Sequence, residues 1–174
     1  MIGGSPGVGK TSVAKRLAAD LALPLLGSDT LGRTVRSSAS HHGTTTDAYV
    51  IGYAVLWRLC EEFLRSGVSV LVDTNMGWEV AWQSAEAVRE RCPGILFLPI
   101  ILRCPGEVCI ERIGQRHGSD PARRPLAAFL RDEAYGQVTA FLERLDRRDA
   151  YYIDADRPLD EVIEAVKVRV LSSL

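Results

Sequence analysis

Four cysteines, three histidines and 7% aromatic residues are a sparse supply for 174 residues, and each shortage excludes something. Cys60, Cys92, Cys104 and Cys109 are scattered, with no C-x-x-C pair and no histidine at ligand spacing. They read as buried or half-buried thiols of a reducing cytosol, not as a disulfide framework or a metal site. Net charge is nearly absent: 21 Lys and Arg stand against 22 Asp and Glu, leaving −1. The chain as a whole therefore carries no electrostatic footprint for nucleic acid or an anionic membrane. No apolar run approaches the roughly 20 residues of a membrane-spanning helix. The N-terminus shows no charged segment leading into an apolar one, so no secretory signal is expected, and the expected location is the cytoplasm. Internal repeats and low-complexity tracts are missing as well. What is present, 47% apolar and 25% charged residues, is the make-up of an ordinary globular domain. This length predicts one domain spanning 1–174.

Helical and strand-like segments alternate along the chain. Lys10 to Leu21 places Val13, Leu17, Ala18 and Leu21 on one helical stripe. A brief strand is expected at Pro24-Leu25-Leu26, bounded by Gly27. Asp47 to Ser66 carries Ile51, Val55, Leu59 and Phe63 at steps of four, which predicts a long amphipathic helix with that apolar face, stopped by Gly67. Val68 to Val72 reads as a buried strand ending at Asp73, and Trp78 to Cys92 as a helix closed by Pro93-Gly94. Ile95 to Leu102, the longest apolar run, reads as a central strand. Glu107 to His117 is helical, with Pro105 near its start. Gly118 to Pro125 holds the residues of a loop, and Leu126 to Arg147 those of a long helix. Tyr151-Tyr152-Ile153 is a last strand, followed from Leu159 by a helix with Val162, Val166 and Val170 every four residues. Strands separated by helices of crossover length imply an α/β domain whose parallel sheet is covered on both faces.

The decisive signal lies at the N-terminus. Gly4-Ser5-Pro6-Gly7-Val8-Gly9-Lys10-Thr11 fits G-x-x-x-x-G-K-S/T at every fixed position, directly before a strong helix. Glycines let backbone N–H groups wrap a polyphosphate, and the helix N-terminus points its partial positive charge at the same phosphates. Lys10 supplies a point charge to the β- and γ-phosphates, and the Thr11 hydroxyl can ligate Mg²⁺. Gly4, Gly7, Val8, Gly9, Lys10, Thr11 and Ser12 form the expected nucleotide-binding set, with ATP and Mg²⁺ as cofactors. Only Met1 and Ile2 precede Gly3, whereas such a loop follows a strand of about five residues. The natural chain is accordingly expected to begin upstream of Met1.

With these residues in hand, the chain resembles the P-loop kinases of the nucleoside-monophosphate-kinase-like group, in particular the small branch of polynucleotide 5′-kinases and zeta-toxin-type kinases. The resemblance runs through the P-loop, Gly27-Ser28-Asp29, Val70-Leu71-Val72-Asp73-Thr74-Asn75 and Arg112-Ile113-Gly114-Gln115-Arg116. The opening Ile2-Gly3-Gly4 with Ser28-Asp29 is also similar to 2-phosphoglycerate kinases. It implies a single P-loop NTPase domain with a five-stranded parallel sheet in the order 2-3-1-4-5, helices on both faces and a small lid at about 118–125. It further implies catalysis at the carboxyl edge of the sheet.

On that reading Asp29, just beyond the second strand, accepts or orients the proton of an acceptor hydroxyl; the alternative is a helix N-cap. Arg33 and Arg36 follow at helical spacing, either to meet an anionic acceptor or as a solvated face. Asp73 leaves an apolar strand where a charge needs a reason: near Mg²⁺ it would hold coordinating waters or contact the acceptor, with Asn75 adding a hydrogen bond. The alternative is a turn-forming Asp-Thr-Asn segment. Arg112 and Arg116 share a helical face; the resemblance implies that the first stacks on adenine and the second reaches the phosphates. Arg123 and Arg124 would close from the lid onto the transferring phosphoryl group. Lys10, Asp29, Asp73 and Arg116 are thus the expected catalytic residues. His41, His42 and His117 form no ligand pattern. The expected function is ATP-dependent phosphoryl transfer to a hydroxyl of a small molecule. A polynucleotide 5′-hydroxyl kinase and a nucleotide-binding module without an acceptor are the alternatives. No N-K-x-D segment supports a GTPase switch.

Overall fold

The computed structural model describes residues 1–38, 40, 42–118 and 133–174. Strands β1 (Ile2–Gly4), β2 (Leu25–Gly27), β3 (Leu71–Asp73), β4 (Ile100–Arg103) and β5 (Tyr151–Asp154) form one parallel sheet ordered β2-β3-β1-β4-β5. This is the expected order. Seven helices are described: α1 (Lys10–Asp20), α2 (Ser28–Ser37), α3 (Thr45–Arg65), α4 (Glu79–Arg91), α5 (Gly106–Gly118), α6 (Glu133–Arg144) and α7 (Leu159–Leu171).

The unbroken apolar strands are explained by burial on both faces. In β4, Ile100 and Leu102 join a core with Val13 and Leu17 of α1 and Val162 and Val166 of α7. Ile101, pointing the other way, joins Leu56 and Trp57 of α3, Trp82 of α4 and Leu142 of α6. β3 divides likewise, Leu71 to the first core and Val72 to the second. A strand that contributes to two cores cannot alternate apolar with polar.

Two strands are shorter than expected. Val68–Val72 and Ile95–Leu102 narrow to Leu71–Asp73 and Ile100–Arg103, because a ladder extends only as far as its neighbour: Leu25 pairs with Leu71, and Ile2 with Ile100. The register also aligns the strand exits. Gly27 and Ile2 both pair with Asp73, so the β2–α2 junction and the loop after β1 open on the same edge as the end of β3.

The helix α3 corrects the expected face. Ile51, Val55 and Leu59 are 45%, 38% and 36% exposed. The buried residues are instead Ala48, Gly52, Leu56, Trp57, Cys60 and Glu61. Ala48, Gly52, Leu56 and Cys60 also recur at steps of four, one position along from the expected stripe. Their small members decide the matter, since they let α2 approach backbone to backbone. A Cβ placed on Gly52 would lie 2.6 Å from Gly32 N, and one on Gly32 would lie 2.4 Å from Tyr49 Cδ1. On its far side α3 is tied to α4 through buried Glu61, which accepts from Arg65 and Arg91, each at 2.9 Å.

Of the expected lid only Gly118 is described, as the last residue of α5; Arg123, Arg124 and, elsewhere, His41 lie outside the described residues. So does the first part of the helix expected over Leu126–Arg147, whose described portion is α6. Among the described residues no helix is long and apolar enough to cross a membrane, the cysteines are free thiols, and no cluster of three metal-ligating side chains occurs.

The α2–α3 crossing yields a direct expectation. Gly52→Ala forces a methyl into the Gly32 backbone and should destabilise the protein by about 1–3 kcal/mol, the cost of overpacking a closed contact. For a domain of this size that is a fall in Tm of roughly 2–4 °C per kcal/mol. A thermal melt unchanged from the wild type would show that the helices do not meet at these glycines.

Candidate active site

The loop between β1 and α1 is built around backbone conformations that side chains resist. Gly7 and Gly9 have φ of +85° and +103°, and a Cβ on Gly7 would stand 2.4 Å from the Cys109 carbonyl oxygen. Gly9 is the N-cap of α1 and offers no side-chain cap, and the first turn of the helix holds no acidic residue. The leading amides therefore face the loop without a competing anion, the arrangement that receives a phosphate.

Lys10 folds back over this loop, its Nζ donating to Ser5 O at 3.0 Å. Burial pulls its pKa below the usual lysine value; the charges of Asp73, then Asp29, oppose that shift, and Arg116 adds to it. One residue on, Thr11 Oγ1 donates to Asp73 Oδ2 at 2.7 Å. Asp73 is only 8% exposed. Burial pushes its carboxyl above the ordinary range, the Thr11 hydrogen bond and the Lys10 charge oppose this, and the Asp29 charge reinforces it. Lys10, Thr11, Asp29 and Asp73 thus share one electrostatic environment at the carboxyl edge of the sheet.

Asp29 is exposed and is the second residue of α2, not its cap; the N-cap is Gly27, in extended conformation and without a side-chain bond. The cap reading of Asp29 does not hold. Arg33 and Arg36 lie further along α2, both exposed, and make no ion pair among the described residues. Asn75 Oδ1 accepts from Gly77 N at 2.7 Å, so its amide nitrogen is the part left to meet a ligand.

On the other flank, Arg112 donates through Nη1 and Nη2 to Ala155 O, both at 3.0 Å. Nη1 also lies 3.5 Å from Val8 O. Its guanidinium plane is thereby fixed between the loop and the β5–α7 junction. Arg116, one turn later, is exposed, and its charge is felt at Lys10. Burial pushes the neighbouring Cys104 thiol up to about 12 and raises Cys109 as well. Neither is a thiolate near neutral pH, so no nucleophilic cysteine enters this site.

A residue absent from the sequence reading also reaches the cluster. Tyr53 of α3 accepts a hydrogen bond from Thr74 Oγ1 at 3.0 Å, and burial pushes its phenol above the ordinary tyrosine value. The signal that points to it is the Tyr49–Tyr53 spacing, which puts both rings on the side of α3 that α2 crosses.

A family model described as an AAA domain matches residues 1–137. The chain belongs to this family. No curated protein matches it. Among solved structures, this AAA-domain protein is similar to a gluconokinase from Sinorhizobium meliloti, with TM-score 0.61, 21% identity and coverage of 97% of this chain and 90% of that one. It is similar to the shikimate kinase of Aquifex aeolicus at TM-score 0.64 and 14% identity, over 97% and 94% of the two chains. The APS kinase CysC of Mycobacterium tuberculosis, in complex with AMPPNP and APS, gives TM-score 0.64 at 21% identity over 98% and 95%. At these identities the likeness concerns the fold, and the fold of this AAA-domain chain is that of a P-loop kinase.

Proposed function

We propose that this protein is a P-loop kinase that moves the γ-phosphoryl group of ATP to a hydroxyl of a small molecule. The observation that carries the reading is the convergence of Lys10, the Thr11–Asp73 pair and Asp29 on one edge of the sheet. A nucleotide-binding module without an acceptor has no need of a carboxylate on α2 coupled to both charges of the phosphate site. Kinases of small molecules among the fold neighbours support the same class.

The oxygens of Thr11 and Asp73 suit a hard cation that keeps most of its shell for water and phosphate, which fits Mg²⁺ better than a metal needing an all-protein cage. When bound, Mg²⁺ supplies charge neutralisation for the phosphate oxygens. The chain's own residues do the rest. The Ser5–Gly9 loop and Lys10 hold the β- and γ-phosphates, Arg112 offers a plane for the base, and Arg116 adds positive charge towards Lys10. The acceptor oxygen bonds to the γ-phosphorus as the bond from that phosphorus to the ADP oxygen breaks. Asp29 takes or directs the hydroxyl proton, while Arg33, Arg36 and Asn75 are placed to contact the acceptor.

An acceptor screen with labelled ATP across sugars, nucleosides, antibiotics and 5′-hydroxyl oligonucleotides tests the class, and Asp29→Asn tests the role. Transfer should fall by roughly 10²–10⁴, the worth of a positioned base. Nucleotide affinity and Tm should hold, because Asp29 neither touches the loop nor caps α2. Full transfer by Asp29→Asn would remove it from the chemistry.

The shift at Asp73 sets a pH dependence. Its carboxyl is raised, so acid protonates it before it protonates an exposed carboxylate, and a protonated carboxyl is a poor Mg²⁺ partner. Mg²⁺-dependent nucleotide affinity should therefore fall as pH drops through this raised value and be full above it. Titrating the affinity between about pH 4 and about pH 8 checks this. An acid limb at the position of an ordinary exposed aspartate would contradict it.

A further inference from the structure

A cavity of about 440 Å³ opens between the exits of β4 and β5, the start of α5 and one side of α6. Its volume is that of a small-molecule site. None of Lys10, Thr11, Asp29 and Asp73 lines it, and of the phosphate loop only Ser5 does. Leu102, Cys109, Leu142 and Ile153, all buried, give it an apolar wall.

The charged groups of that wall are unevenly matched. Arg103 is committed: its Nη2 donates to Leu145 O, and its guanidinium carbon lies 3.9 Å from the centroid of the Tyr152 ring. Glu143 and Asp154 are exposed at the rim, and among the described residues no cation pairs with either. Arg144 turns to Ala140 O, and Arg147 to Glu86 and Asp149. Asp154 Oδ1 accepts from Asp156 N at 2.9 Å, which leaves Oδ2 open. Thr139, also on the wall, has a buried Oγ1 with no hydrogen-bond partner. Such a hydroxyl is costly to bury and has no bond to give up. One χ1 step between the two helical rotamers of threonine turns it to a ligand.

Two unpaired carboxylates, a spare hydroxyl and an apolar wall call for a donor on an apolar body. An ammonium group has three donors and no acceptor, which matches this set. We propose that the cavity is a second binding site, for a compact molecule with an apolar body and a primary ammonium group. Glu143 and Asp154 receive the ammonium, while the body lies against Leu102, Leu142 and Ile153. The site stands apart from the phosphate loop, so it does not depend on the kinase reading.

The probes are phenethylamine, neutral phenethyl alcohol and anionic hydrocinnamate, similar in size and different in charge. Each is titrated into the full isotope-labelled chain and read by amide shifts, with and without a non-hydrolysable ATP analogue. The amine should move the amides of Gly106, Thr139, Glu143 and Asp154, and bind roughly 10-fold tighter than the alcohol, as a charge-assisted contact does. Hydrocinnamate should leave these amides unmoved, and the ATP analogue should not displace the amine. In the double variant Glu143→Gln, Asp154→Asn, the amine should lose its advantage over the alcohol to within about twofold. The alcohol's own binding and the Tm should hold, because Asn keeps the acceptor for Asp156 N. Thr139→Val, which keeps the shape, should weaken the amine by about 2–10-fold. Equal binding of all three probes would mean a void that takes any apolar body, and tighter binding of hydrocinnamate would give the cavity to Arg103 and an anion. Displacement of the amine by the ATP analogue would put it in the phosphate site. Each of these overturns the proposal, as does an amine that moves none of the four amides at about 10 mM.

Discussion

Asp73 ends β3 in the interior, 8% exposed, and a carboxylate in that position must be matched or it will not stay charged. The match comes from the start of α1: Thr11 Oγ1 at 2.7 Å and the charge of Lys10. Much of the molecule can be read as the means of making that meeting. β1 lies beside β3, so the turn leaving β1 falls at the β3 exit. Helix α1 starts at Lys10, which puts the lysine and Thr11 in its first turn, over the same edge. The two cores on either side of the sheet hold these strands by burying alternate residues of β3 and β4. The mutual dependence is visible in the opposed shifts of the two charges. Burial disfavours both, each favours the other's charged form, and Asp29 favours the lysine while opposing Asp73.

On the proposed kinase reading, the two halves of the site differ in construction. The nucleotide side is backbone, a glycine loop and a helix terminus, together with Arg112 locked on Ala155 O. It has little freedom, as suits a ligand whose phosphates are the same in every turnover. The acceptor side is a pair of helices, α2 and α3, closed on each other through Gly32 and Gly52 and joined to the sheet edge by side chains such as Tyr53. Exposed Arg33 and Arg36 sit on this pair. On the proposed kinase reading, acceptor choice is a matter of that surface, which the phosphate loop leaves free to vary.

How far the sequence could be read follows from the same division. The loop Gly4–Thr11 is contiguous, so its chemistry is legible without a fold. Thr11 and Asp73, 62 positions apart, come together only through the order of strands, and the family resemblance supplied that order. Helix α3 misleads because two apolar stripes at steps of four run side by side. The buried one is chosen by the close approach of α2, a tertiary fact that periodicity does not contain. The same helix begins with a capping box, Thr44 and Asp47 bonding each other's backbone, so it starts at Thr45, ahead of the expected Asp47. That signal was present in the sequence as T-x-x-D. Strand lengths were overestimated because a ladder ends with its shorter member. Tyr53 is harder to find: the Tyr49–Tyr53 spacing marks a helix face but names no partner, and only the fold brings Thr74 to its hydroxyl.

The most direct measurement is calorimetric titration of a non-hydrolysable ATP analogue into the wild-type protein and Asp73→Asn, each with Mg²⁺ and with a chelator. If Thr11 and Asp73 receive the metal–nucleotide complex, Mg²⁺ tightens binding to the wild type by about 10–100-fold, and most of that gain vanishes in Asp73→Asn. Binding in the presence of chelator stays similar in the two proteins, since the loop and Lys10 remain. Equal affinities with and without Mg²⁺ in the wild type, or an undiminished Mg²⁺ gain in Asp73→Asn, would contradict the assignment of this edge as the phosphoryl-transfer site.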